Sequence, residues 1–184
     1  MQPGDLFRGL HIRLTALGPE DIPVITSWYH DSHFVRLYEA KPAFPRSQRH
    51  WQRWWENDDK ENDIYKFAIR PLDSDRLIGL IDLDGIIWSH GTAWVSIGIG
   101  DPANRGHGYG EEAMRLLLNF AFNELNLFRI QLSVFEYNIR AIALYERLGF
   151  VREGAYRQFL ARDGKRFDMY LYGLLAEEWH ARER

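Results

Sequence analysis

The chain reads as an α/β (α+β) domain, with one mixed, mostly antiparallel central sheet and helices on both faces. Three observations predict this. Short alternating apolar runs follow one another between turn residues over residues 64–100. Apolar positions at three- and four-residue steps mark helices over residues 110–125 and 138–148. A strand–helix–strand stretch over residues 93–135 then requires two parallel neighbours inside the sheet.

The elements follow in order. Residues 11–17 alternate around Ile12 and Leu14 and form a first strand. Pro19, Glu20 and Asp21 open a helix that reaches about Tyr29, with proline at the start and acids at the positive end. Residues 31–46 read as irregular, rich in aromatics and proline. Ser47 caps a second helix carrying Trp51, Trp54 and Trp55. Residues 64–70, 76–84 and 93–100 make an antiparallel meander, divided by Asp73-Ser74-Asp75 and Ser89-His90-Gly91. The helix over 110–125 repeats Ala113, Met114, Leu117, Phe120 and Ala121 on one face. Residues 128–135 form a strand with Ile130, Leu132 and Val134 on one side. Gly149 caps the short helix over 138–148. Residues 150–157 and 166–174 flank Asp163-Gly164, a hairpin signal.

Composition narrows the function. The length of 184 residues suits a single domain over 1–184, with no repeat or linker. A net charge of −3 and the lack of a basic run argue against nucleic-acid binding. The absence of Cys excludes thiolate catalysis and disulfides and fits a cytoplasmic protein. Residues 1–9 hold no apolar run of signal-peptide length, and no stretch approaches the ~20 apolar residues of a membrane span. His30 and His33 have a metal-compatible spacing, but two ligands without Cys read as solvent-facing histidines, so no metal is expected.

The most informative stretch is Asn104-Arg105-Gly106-His107-Gly108-Tyr109-Gly110-Glu111-Glu112, between a strand and a helix. Such a turn leaves backbone N–H groups pointing outward at the positive end of a helix, a place for a phosphate or diphosphate. An ordinary tight turn would use the same residues. A triphosphate loop needs Lys-Ser/Thr after its last glycine, and here Glu111 and Glu112 follow Gly110. A dinucleotide fold places its glycines after a first strand, whereas a meander precedes these. The spacing Gln/Arg-x-x-Gly-x-Gly/Ala is met by Arg105, Gly108 and Gly110.

On these residues the chain resembles the GNAT superfamily of acyl-coenzyme-A-dependent N-acetyltransferases. The likeness extends through Glu111-Glu112-Ala113 and through Asn138-Ile139-Arg140-Ala141-Ile142-Ala143-Leu144-Tyr145-Glu146-Arg147-Leu148-Gly149-Phe150, followed by Glu153-Gly154. It covers nearly the whole chain. Within the superfamily it is similar to the branch of Rim-type ribosomal-protein N-terminal acetyltransferases and spermidine acetyltransferases.

The resemblance implies acetyl-coenzyme A (acetyl-CoA) as acyl donor and a primary amine as acceptor. It places the coenzyme's diphosphate on the backbone of Arg105, Gly106, His107, Gly108, Tyr109, Gly110 and Glu111. It places pantetheine along Ile97, Gly98 and Ile99, where the strand splays from its parallel neighbour, with Asn138 and Arg140 also on the coenzyme. Tyr145 takes the role of acid toward the departing thiolate; a packed aromatic is the plainer reading. Asn138 equally suits a helix N-cap. The resemblance does not fix a base. Asp82 and Asp84 share a strand face and are the candidates, Asp82 first, although a solvated sheet face explains them too. Glu136 and Glu111 are poorer choices. Phe34, Tyr38, Phe44, Trp51, Trp54 and Trp55 are set either to line an acceptor groove or to fill the core.

The likeness favours the α-amino group of a protein or peptide as acceptor. A polyamine is the first rival, since Glu39, Asp82 and Asp84 could supply acids to a groove. A non-catalytic acyl-CoA-binding module is the second. Neither nucleic acid nor membrane is expected as a partner. A homodimer through the exposed C-terminal strand is a further implication of the branch.

Overall fold

The computed structural model of the chain describes residues 5–58 and 64–182. Seven strands among these are hydrogen-bonded in the order β1-β2-β3-β4-β5-β7-β6. They are β1 (Ile12–Thr15), β2 (Tyr65–Pro71), β3 (Gly79–Ile87), β4 (Thr92–Ile99), β5 (Arg129–Phe135), β6 (Val151–Arg162) and β7 (Lys165–Leu175). The helices are α1 (Ile22–Trp28), α2 (Ser32–Tyr38), α3 (Gln48–Asp58), α4 (Tyr109–Asn119), α5 (Ile139–Leu148) and α6 (Ala176–Arg182). Two compact units divide the chain: residues 1–84 with 96–117, and residues 85–95 with 118–184.

In the first unit, β1 and β2 pair antiparallel with Leu14 opposite Ile69, and β2 pairs with β3 so that Lys66 faces Asp82. Alternation along β3 buries Ile81 and Leu83 and leaves Asp82 and Asp84 half-buried on the opposite face. The core gathers Ile22, Ile25, Trp28, Phe34, Val35 and Trp51. The buried Arg70 guanidinium donates to both Asp21 carboxylate oxygens at 2.9 and 2.7 Å, which ties β2 to the start of the first helix. Removing one partner of such a pair would strand a buried charge.

Two departures from expectation fall in this unit. Residues 32–38, read as irregular, form helix α2, whose start is capped by the Asp31 carboxylate accepting from His33 N–H at 2.9 Å. The helix is too short to show a period, and its burial of Phe34 and Val35 supplies the stability that propensity lacks. The strand expected at 76–84 begins instead at Gly79. Trp51 is core, as the plainer reading holds, while Trp54 and Trp55 lie outside the described side chains.

In the second unit, β4 and β5 are parallel, pairing Thr92 with Arg129, Ala93 with Ile130 and Trp94 with Gln131. β5 then pairs antiparallel with β7 along its full length, and β7 with β6. Asp163 and Gly164 turn the β6–β7 hairpin with φ of 50° and 73°, the left-handed pair that a two-residue turn requires. The helical run after Gly110 stays α-helical only to Asn119. One wider π-helical turn, Phe120–Glu124, follows and buries Phe120, Ala121 and Phe122 together. Helix α6, absent from the sequence reading, packs its buried Trp179 against Phe122.

Candidate active site

The glycine turn is built from β4 outward. The Asp101 carboxylate caps a single turn at Pro102–Asn104 by accepting from Ala103 N–H at 2.8 Å. Arg105 then reaches back: its Nε donates to the Ile99 carbonyl at 3.0 Å and its Nη2 to the Gly100 carbonyl at 2.6 Å. The Arg105 side chain is thus a brace between turn and strand. Gly106 and Gly108 take φ of 85° and 84°, a region costly for residues with a Cβ. A Cβ on Gly108 would meet nothing within 4 Å, so the space above this peptide is open. Helix α4 starts at Tyr109, and Glu112 N–H bonds the Gly108 carbonyl at 3.0 Å. Among the described residues, the N–H groups of Gly106, His107, Gly108, Tyr109 and Gly110 find no acceptor within the chain. Five amides at the head of an 11-residue helix form a cradle for an anion.

Two acids in the first turn of α4 would repel a diphosphate, but each has a partner. The Glu112 carboxylate accepts from the N–H groups of His11 and Ile12 at 2.9 and 3.4 Å. Glu111 pairs with Arg115 one turn on, at 3.2 Å. His107 stacks on Tyr109, with ring centroids 5.6 Å apart, beside the turn.

A cavity of about 790 Å³ lies in the same unit, within the size range of small-molecule sites. Glu39, Asp82 and Asp84 all line it, so the carboxylates weighed for base and acceptor contacts come together. Ser96 reaches it from β4, and Tyr38 both lines it and packs its ring against Gly98 of that strand. Ile97, Gly98 and Ile99 are half-buried. Sequence reading passed over Arg46. Its guanidinium lies 4.7 Å from the Tyr29 ring centroid and donates to both Glu39 oxygens, at 2.8 and 2.5 Å. Tyr29 OH donates to Glu39 at 2.6 Å, and burial together with that carboxylate drives its pKa far above the ordinary tyrosine range. No local pattern in the 31–46 segment signals this cluster, because folding alone brings Tyr29 to Glu39 and Arg46. Of the other aromatics, Phe34 is core and Phe44 is exposed.

The second unit carries the α5 residues. The Asn138 carboxamide accepts from Ala141 N–H at 3.3 Å, so its capping role is realised. Arg140 is exposed on the first turn. Gly149 ends the helix at φ 99°. Tyr145, 7% exposed, meets the Phe150 ring edge-on at 5.9 Å, and burial pushes its hydroxyl pKa up to about 12. Glu136 sits just past β5, where its N–H donates to the Asp168 carbonyl at 3.1 Å. His30 and His33 are exposed, and no group of three metal-ligating side chains occurs among the described residues. No described helix is long and apolar enough to cross a membrane.

An anion cradle that follows a sheet strand, with an acid-bearing cavity in the same unit, suits an enzyme that works with a phosphorylated coenzyme. Residues 11–151 match the acetyltransferase (GNAT) domain family, and the chain belongs to that family. It is 29% identical over 171 residues to a SPbeta prophage-derived uncharacterized N-acetyltransferase, YokL, of Bacillus subtilis, covering 93% of each chain. It is 40% identical over 94 residues to the spermidine N(1)-acetyltransferase of Vibrio cholerae, covering 51% of this chain and 53% of that one. A crystal structure of spermidine N-acetyltransferase from Vibrio cholerae in complex with CoA and spermine superposes with a TM-score of 0.84. It is 25% identical and covers 92% of this chain and 98% of that one. The protein is therefore an acetyl-CoA-dependent N-acetyltransferase.

Proposed function

We propose that the enzyme moves acetyl from acetyl-CoA directly to a primary amine, the α-amino group of a peptide or protein before other amines. The observation that carries this is the set of unengaged amides from Gly106 to Gly110, in the same unit as the cavity that holds Asp82. The diphosphate sits on those amides, and pantetheine runs along Ile97, Gly98 and Ile99. Backbone N–H groups of β4 polarise the thioester carbonyl as charge develops on its oxygen.

The acceptor arrives as an ammonium ion and must lose a proton before it attacks. Asp82, on the cavity wall, accepts that proton directly or through water. The nitrogen lone pair then forms the C–N bond, and the C–S bond breaks. Tyr145 OH donates a hydrogen bond to the leaving sulfur. Its pKa of about 12 lies above that of an ordinary thiol, about 8.5. Full transfer from Tyr145 is therefore uphill, and its task is to hold the thiolate's charge until solvent supplies the proton. With no Cys in the chain, no thioester-linked enzyme intermediate is open to it. Intact mass after incubation with acetyl-CoA alone should show no acetyl adduct, whereas an amine should trigger thiol release; a stable acyl-enzyme would contradict direct attack.

Asp82→Asn should cut kcat/KM about tenfold or more and remove the acid limb of its pH profile, while Asp84→Asn leaves that limb in place. An unmoved limb in Asp82→Asn retires it as the base. Asn138→Ala should cost about 1 kcal/mol through the lost cap, read as a lower Tm. A rise in KM for acetyl-CoA beyond that separates a coenzyme contact from capping, and an unchanged KM removes Asn138 from the coenzyme site.

A second reading, a polyamine acceptor, is favoured by the three carboxylates on one cavity and by the likeness to spermidine acetyltransferases. A multimer is the corresponding proposal for assembly, drawn from a dodecameric form of the Vibrio cholerae spermidine N-acetyltransferase.

A further inference from the structure

Tyr172 sits within β7, a strand hydrogen-bonded on both sides. Leu132 of β5 stands opposite it on one side and Arg152 of β6 on the other. The strand is therefore a fixed reference, and Tyr172 itself is only 2% exposed. A phenol buried to that degree needs a partner for its hydroxyl. The partner lies outside the sheet: Tyr172 OH donates to the Glu146 carboxylate at 2.9 Å. Burial, and after it this carboxylate, pushes the hydroxyl pKa up to about 12. The proton thus stays on the phenol, and the bond keeps its direction.

Glu146 directly follows Tyr145 on α5, and both belong with β5, β6 and β7 to the same unit. Successive helical residues point about 100° apart. Tyr145 is buried against Phe150, whereas Glu146 is exposed. The helix ends here: the Tyr145 and Glu146 carbonyls accept from the N–H groups of Phe150 and Gly149, at 3.0 and 3.1 Å. Leu148 and Phe150 bury this end in apolar contact, which has no preferred direction. A hydrogen bond has one. Fixing Glu146 to a strand fixes the rotation of α5 about its axis, and with it the direction of the Tyr145 hydroxyl.

We infer that Tyr172 is a positioning residue for the reaction: through Glu146 it aims the Tyr145 hydroxyl at the leaving sulfur. This rests on the assignment of Tyr145 to the thiolate and adds the support that assignment needs. A donor used only as charge develops is sensitive to displacement, since a shift of about 1 Å can cost about a hundredfold in rate. Tyr172 acts through its neighbours and not on the reacting atoms.

The test is a double-mutant cycle on the full-length enzyme, read by thiol release from acetyl-CoA with spermidine and with a peptide beginning with Ala. Tyr172→Phe should lower kcat about tenfold and leave KM for acetyl-CoA within about twofold. The ring remains, and the exposed Glu146 turns to water, so no buried charge is stranded. Glu146→Ala should match Tyr172→Phe, whereas Glu146→Gln keeps an acceptor oxygen and should retain more of the rate. In a Tyr145→Phe background Tyr172→Phe should cost nothing further, because the group it aims is gone. A merely structural role would make the two losses multiply. Unchanged kcat in Tyr172→Phe, equal losses in Glu146→Gln and Glu146→Ala, or losses that multiply with Tyr145→Phe overturn the inference and leave the role of Tyr145 standing. If Tyr145→Phe alone keeps full kcat, the role of Tyr145 falls, and this inference falls with it. The two Glu146 variants decide the matter even if Tyr172→Phe folds poorly.

Discussion

Gly108→Val should weaken CoA binding by about a hundredfold or more in titration calorimetry, equivalent to about 2.7 kcal/mol. Two effects combine. At φ 84° a side chain strains the backbone by about 1–2 kcal/mol, and that cost falls on the fold. The branched side chain also enters the open space above the turn, where nothing of the protein lies within 4 Å but where the diphosphate is assigned. Gly108→Ala separates the two, since it carries the same strain with fewer atoms. Alanine and valine should melt at similar temperatures, with valine binding CoA far more weakly. Gly154→Ala, on a strand with open space and no positive φ, should bind normally. Native affinity in Gly108→Val would remove the turn as the coenzyme's cradle.

Tyr145→Phe should lower kcat about a hundredfold with little change in KM for acetyl-CoA, the signature of a donor used only as charge develops. The ring stays, so its packing on Phe150 survives. Because burial holds the hydroxyl pKa at about 12, Tyr145 remains neutral throughout the physiological range and contributes no alkaline limb below that value. Stability has its own sign. The folded pKa lies above the usual 10, so the unfolded chain ionises first, and the contribution present below pH 10 falls away between about 10 and 12. The phenylalanine variant should lack that loss in urea titrations across the same window. Unchanged kcat would make Tyr145 a packing residue.

The fold was readable wherever a local rule coincided with tertiary demand. Asn138 and Gly149 bracket α5 because an N-cap and a left-handed C-cap are local chemistry, and Asp163-Gly164 sets its hairpin for the same reason. Helix α2 escaped because seven residues contain too few turns for a period, and burial of Phe34 and Val35 decides it. Helix α6 escaped similarly; its apolar anchor is the single buried Trp179. The cradle could be anticipated from Gly106 and Gly108, since their positive φ favours glycine there. The cavity could be anticipated only in part. Period two along β3 puts Asp82 and Asp84 on one face. No spacing rule connects Tyr29, Glu39, Arg46 and Lys66, which meet through packing of the α1–α3 segment over the sheet. Arg105 shows a further limit: the glycine pattern assigns a place to its backbone alone and says nothing of its side chain, whose guanidinium donates to the carbonyls of Ile99 and Gly100.

The most direct measurement is a crystal structure of the enzyme with CoA bound. The diphosphate oxygens should lie about 2.7–3.2 Å from the backbone nitrogens between Gly106 and Glu111, with the pantetheine arm along Ile97–Ile99. A diphosphate held elsewhere, with those amides facing only water, would contradict the account.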